Sequence, residues 1–324
     1  MTDRRHLLSI GVGLGTALLL SDTAAAASAP DLTQLRRRVA RGRSAFRAAR
    51  YADLTERLPA LRRDALAVRQ LLTGAPGRAA SGVLAQVHML ASELGVKNGD
   101  SQAAWAHARA AVSAAEVSGK ATVLAEATRI CATPLRRQGR SEDAVQLLRD
   151  TLGQLDAESS QAEPAHVGAA GALALTASYC AALAGRETTA LSLVDIAKDA
   201  AARLARERRP YTGELSAHQI HLYQVGVHHL LGQDAVAVRI ARQIDPRALP
   251  AGERRARLGT DTARALLALG DYEQAFTELL AVESAAPEEA RRPSLRLLTS
   301  EILTHRPNLV GLRDFAVRTG ATPA

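Results

Sequence analysis

The chain has 324 residues, 47% hydrophobic, 3% aromatic and 23% charged, with a formal net charge of +8. That length can bury one large core or two smaller ones, and the ordinary charged fraction excludes wholesale disorder. Ala and Leu dominate the apolar share beside three Phe, five Tyr and one Trp, and no runs of β-branched residues separate the helical stretches. A β-sandwich or barrel is thereby excluded and an α/β fold disfavoured, which leaves an all-α fold.

In chain order, Met1 to Ala29 forms an apolar leader. Arg4 and Arg5 make a twin-arginine pair, Leu7 to Leu20 is shorter than a membrane span, and the Ala/Ser run to Ala29 offers cleavage sites. Two readings stand: an exported protein, or a short apolar helix heading a cytoplasmic one, which is preferred. Gly11, Gly13 and Gly15 leave no room for the strand that a phosphate-cradling loop requires.

The body, 30–324, reads as one repeat domain. A Gly followed five residues later by an Ala recurs as Gly99/Ala104, Gly139/Ala144, Gly185/Ala190, Gly232/Ala237 and Gly270/Ala275, at spacings of 38 to 47 residues. An earlier turn, at Ala49 to Leu54, lacks the glycine. Gly ends one helix in the left-handed conformation, and the Ala marks where two helices of a hairpin come closest. Asp100, Ser101, Ser141 and Asp271 are placed to cap the following helices. Each hairpin buries only one stripe, so neighbours must stack. The pattern predicts a tetratricopeptide-type right-handed α-solenoid of six to seven hairpins. Helix pairs are expected near 32–72, 78–119, 121–157, 164–208, 212–244 and 251–284, with terminal helices near 288–304 and 308–319.

Four stretches of the last third are more specific. They are Gln243 to Leu258, the Gly270 unit, Leu279 to Glu289 with its Pro287-Glu288-Glu289, and Gly311 to Ala316. They resemble the C-terminal tetratricopeptide region of actinobacterial XRE-family regulators, which carry a Cro/repressor-type helix-turn-helix ahead of the repeats. The resemblance covers roughly Leu32 to the end. It implies a sensor that binds a peptide or protein and acts on transcription. Only Met1 to Ala29 precedes the repeats here, so direct DNA binding is not expected of this chain. The alternative is an exported repeat scaffold with no regulatory role.

The residues offer no catalytic motif of known spacing, so no enzymatic activity and no cofactor are expected. The basic charge is almost all Arg, spread along the chain, and reads chiefly as solvated helix faces. Cys131 and Cys180 read as buried thiols, and Trp105 and Tyr272 as packing residues. His218, His221, His228 and His229 lack ligands at metal spacing, so no metal is assigned. The first helix of each pair should line the concave face. Counting back from each Gly selects Gln86, Glu126, Arg129, Thr133, Arg136, Tyr179, Gln219, His229, Arg257, Thr260 and Arg264. Arg forks bind carboxylates bidentately, so the expected partner is a peptide or protein with acidic groups or a free C-terminus. The competing reading pairs these Arg residues with Glu126 and Glu253 on their own helices. Homodimerisation is left open.

Overall fold

The computed structural model describes residues 31–155, 157, 161–206, 215–249 and 251–322; the leader at 1–29 lies outside them. The described residues are all-helical, with no strand among them. The chain runs α1 (Leu32–Arg47), α2 (Tyr51–Leu71), α3 (Gly74–Asn98), α4 (Ser101–Ser118), α5 (Ala121–Arg137), α6 (Ser141–Gly153), α7 (Pro164–Leu183) and α8 (Glu187–Arg206). It continues with α9 (Ala217–Leu230), α10 (Asp234–Ala241), a 3-10 turn Pro246–Ala248, α11 (Gly252–Ala268), α12 (Tyr272–Ala285), α13 (Pro287–Ala290), α14 (Pro293–His305) and α15 (Leu312–Thr319). The expected pairs therefore appear in order. The expected 288–304 helix is interrupted, because Pro293 starts a new helix at its first position rather than continuing the old one.

The Gly/Ala signature acts as its chemistry requires. All five glycines hold φ between +72° and +77° or, for Gly99, +79°, and the five alanines are at most 1% exposed. An L side chain resists that φ, whereas glycine adopts it at little cost. The first hairpin reaches the same turn with Ala49 at φ +56°, the one non-glycine with positive φ among the described residues. Asp100 and Asp271 accept from the amides of Ala103 and Gln274, as their positions predict. Ser101 and Ser141 do not cap. Both fall inside the first helical turn, where the side chain cannot reach back to the free amides; Ser216, unforeseen, caps α9 through Gln219 N.

Helices α1, α3, α5, α7, α9 and α11 form an inner row. α1 packs on α3, α3 on α5, α5 on α7, α7 on α9 and α9 on α11, while the even helices fill the gaps outside. α7 is apolar enough in length and composition to cross a membrane, but it is a buried inner helix of this row. α11 then returns to pack on α1, so the inner row closes on itself. One apolar cluster follows that closure, joining Leu35, Phe46 and Leu90 from the first hairpins to Leu258, Leu279 and Leu295 from the last.

The closing seam is polar as well as apolar. Lys97 of α3 donates to Glu253 of α11 (2.7 Å) and to Glu289 of α13 (2.6 Å). Glu289 also accepts from the Tyr51 hydroxyl and from Arg292. Glu288 caps α2 from the far end of the chain, accepting from Tyr51 N and Ala52 N at 2.9 and 3.0 Å. A carboxylate there meets the free amides and positive dipole end of α2. Gly252, at the start of α11, lies so close to the carbonyl of Ala285 that a Cβ would come within 3.0 Å of it.

Candidate functional site

The inner helices enclose two cavities of about 480 and 410 Å³ that share Phe46, Glu93, Arg129, Tyr223, Glu253 and Arg254 as a common wall. The larger opens among the C-terminal ends of α3, α5, α7 and α9 and along α11 from Glu253 to Arg264, and the smaller chiefly among the N-terminal halves of α5, α7 and α9. The residues selected from the glycine count fall on these walls. Arg129, Thr133, Arg136, Tyr179, His229, Arg257, Thr260 and Arg264 line the larger cavity, and Gln86, Glu126, Gln219 and again Arg129 the smaller. The helical period places them there: residues three and four apart on a helix share a face, and the strongly amphipathic α5 and α11 present their polar faces to the cavities.

The common wall is built on charge. Arg129 grips Glu126 with two parallel hydrogen bonds of 2.9 and 2.7 Å. Burial pushes the Glu126 carboxyl up, but the Arg129 guanidinium, with Arg43 and Arg254, overcomes this and brings it to about 2. Arg129 is therefore engaged, through Nε and Nη2, in the pair that the competing sequence reading described. On α11, Asp261 is nearly buried and holds two arginines, accepting from Arg264 at 2.7 Å and from Arg257 at 3.4 Å.

Arg257 lies 4.2 Å above the Tyr223 ring and 5.7 Å from that of Tyr179. Tyr223 is 6% exposed, and its hydroxyl sits 3.5 Å from Thr176 Oγ1. Burial alone would raise this phenol, but Arg257, Arg129 and Arg254 outweigh it and lower its pKa to about 7. Gly226 makes the packing feasible. A Cβ there would sit 2.6 Å from Tyr179 Cε2 and 3.3 Å from Asp261 Oδ2.

Not every predicted residue offers a free group. Thr260 donates to the Ala256 carbonyl of its own helix, and His229 is bonded to Asp234 across the α9–α10 turn at 2.6 Å. His228 bonds Gln233 in the same way, so these two histidines staple a hairpin. No group of three metal-ligating side chains forms among the described residues. Cys131 and Cys180 are free and buried, and burial pushes both thiols up to about 11.

The sequence count missed Lys97, Arg137, Glu253, Arg254, Asp261, Glu289 and Arg292, together with Tyr223, all on the larger cavity. Glu253 entered the sequence reading only as a pairing partner of the inward arginines, and Arg254 could have been found one turn before Arg257 on the same face. Lys97, Glu289 and Arg292 reach the cavity only because the two ends of the chain meet, which no local pattern announces. Across both cavities ten basic side chains face five carboxylates. No protein-family model matches the chain, and no curated protein matches it.

Proposed function

We propose that this protein is a tetratricopeptide-type α-solenoid sensor whose inner cavity binds a short anionic peptide or the acidic end of a partner protein. The observation that carries this is the excess of guanidinium and ammonium over carboxylate groups on the walls of the two cavities. Such a field draws anions and strengthens as water is excluded. The five Gly/Ala hairpins and the stretches at 243–258 and 279–289 support the further reading. In it the domain is of the kind that serves actinobacterial XRE-family regulators and acts in the cytoplasm. A ligand bound between inner helices favours one stacking angle of the hairpins over another, and a DNA-binding partner reads that difference.

Calorimetry with a short Glu-rich peptide and its Gln counterpart tests the cavity. The acidic peptide should bind, weaken as salt rises, and lose about tenfold or more in affinity with Arg264→Glu. Equal binding of the Glu and Gln peptides, or of neither, overturns the proposal.

A further inference from the structure

We propose that the larger cavity's mouth, between Arg136, Arg137, Arg264 and Arg292, is a subsite for a doubly charged oxyanion of the phosphate monoester class. This rests on the cavity being an anion site, and adds a place, a charge and a chemistry.

Four guanidiniums from three elements line this cavity, and Arg136, Arg264 and Arg292 all lie close enough to act on the charge of Arg137. Arg136 and Arg137 end α5, and neither has a carboxylate partner among the described residues. Arg136 is nevertheless held, with its guanidinium 4.7 Å above the Tyr179 ring. Arg264 and Arg292 each spend one nitrogen on a carboxylate of their own neighbourhood, Asp261 at 2.7 Å and Glu289 at 2.6 Å. Both carboxylates are shared: Asp261 with Arg257, and Glu289 with Lys97 and the Tyr51 hydroxyl. The Arg292 Nε is buried and has no hydrogen-bond partner. Partial desolvation, with the neighbouring Arg136, Arg292 and Arg264, makes the charge on Arg137, itself an exposed residue, harder to hold.

These observations set the ligand's charge. Four cations with two shared carboxylates leave at least two positive charges uncompensated, which a dianion neutralises and a single carboxylate does not. They also set its shape. Guanidiniums reaching in from three elements can each meet a different terminal oxygen of a phosphate monoester, which offers three where a carboxylate offers two. Thr133 and Ser294 place hydroxyls on the same wall. The competing account is that Arg136 and Arg137 merely answer the negative end of the α5 dipole. It leaves unexplained why the Arg292 Nε is buried without a partner.

The test uses the full chain with phenyl phosphate, glutarate and chloride at matched ionic strength, read by calorimetry and thermal shift. Phenyl phosphate should bind one to one and raise Tm, and bind more tightly as pH rises through its second pKa, about 6. Arg136→Gln with Arg137→Gln should weaken it about tenfold or more. Arg149→Gln, exposed on α6, should leave it unchanged. Should the double variant fail to fold, Arg264→Lys, which keeps the charge and removes the fork, should weaken it instead. Stabilisation equal to that by chloride, preference for glutarate, or indifference to these variants overturns the subsite. If the Glu-rich peptide binds and phenyl phosphate does not, the subsite falls and the cavity reading stands; if neither binds, both fall.

Discussion

Two kinds of contact hold this molecule together, and they obey different physics. Within the hairpins the helices meet through small apolar side chains: Ala104, Ala144, Ala190, Ala237 and Ala275 are all at most 1% exposed. Where the two ends meet, part of the work passes to buried charge, with Lys97 between Glu253 and Glu289 and with Glu288 on the amides of α2. Apolar contact involves no titrating group, whereas buried ion pairs depend on every partner remaining present and charged. The repeat can thus be built by one rule many times over, while its closure depends on a few irreplaceable groups.

Removing Lys97 breaks that comparison hardest. Lys97→Met keeps length and apolar stem but removes the ammonium between Glu253 and Glu289, leaving them Arg254 at 3.6 Å and Arg292 at 2.6 Å. Breaking a buried pair by deleting one partner costs about 3–5 kcal/mol, which urea denaturation at neutral pH should register. The pH dependence distinguishes this from a packing defect. Burial pushes both carboxyls up, but Lys97 overcomes it, with Arg254 at Glu253 and Arg292 at Glu289, and both lie below the ordinary carboxylate range. For groups whose folded pKa is depressed, the stabilisation is complete above the unfolded value, about 4.3 for Glu, and is lost as pH falls through the folded one. In Lys97→Met the carboxyls lose that cation and take up protons more readily. The gap between variant and wild type should therefore narrow as pH falls from 7 towards 4. A gap that stays constant would show that Lys97 acts through its methylenes alone.

The hairpin side of the comparison is tested by size instead of charge. Ala190→Leu forces a larger side chain into the closest contact of α7 and α8, and overpacking of this kind costs about 1–3 kcal/mol. Its effect should not change between pH 7 and 4, since no titrating group is displaced. A pH-dependent loss would mean that the hairpins and the closure are not separable.

The same contrast explains what could be read from the chain before its structure. Hairpin order, the positive-φ glycines and the buried alanines were legible because each depends on residues five apart. So was the inward face: Arg136, Tyr179, Arg257 and Arg264 followed from helical period alone. The pairing of those residues was not. Asp261 holds Arg257 and Arg264 from within the same helix, yet it was overlooked because the glycine count selects positions and ignores charge partners. The seam was beyond local reasoning altogether, since Glu253, Glu289 and Tyr51 lie far from Lys97 in sequence and nothing in their own surroundings marks them as buried. Pro287-Glu288-Glu289 was noticed as a pattern, but that Glu288 would cap α2 could not be inferred without the fold.

Ala49 sharpens the comparison from the smallest end, because it stands where both rules apply. It occupies the turn that glycine fills in the five later hairpins, with φ +56°, and it is also 3% exposed beside the seam. The left-handed conformation costs a non-glycine residue about 1–2 kcal/mol, while glycine loses about 0.5–1 kcal/mol more entropy on folding than alanine. If the hairpin rule governs here, Ala49→Gly should raise stability by up to about 1 kcal/mol and move Tm upward with no change in pH dependence. If the seam governs, the buried methyl is worth more than the relieved backbone, since burying one such group contributes about 0.8 kcal/mol, and the variant should be neutral or less stable. The hairpin outcome is expected, because Gly232 and Gly270 carry the same turn with no side chain at all, and nothing lies within 4 Å of where a Cβ would stand at either. The turn thus needs the backbone conformation and not the methyl group.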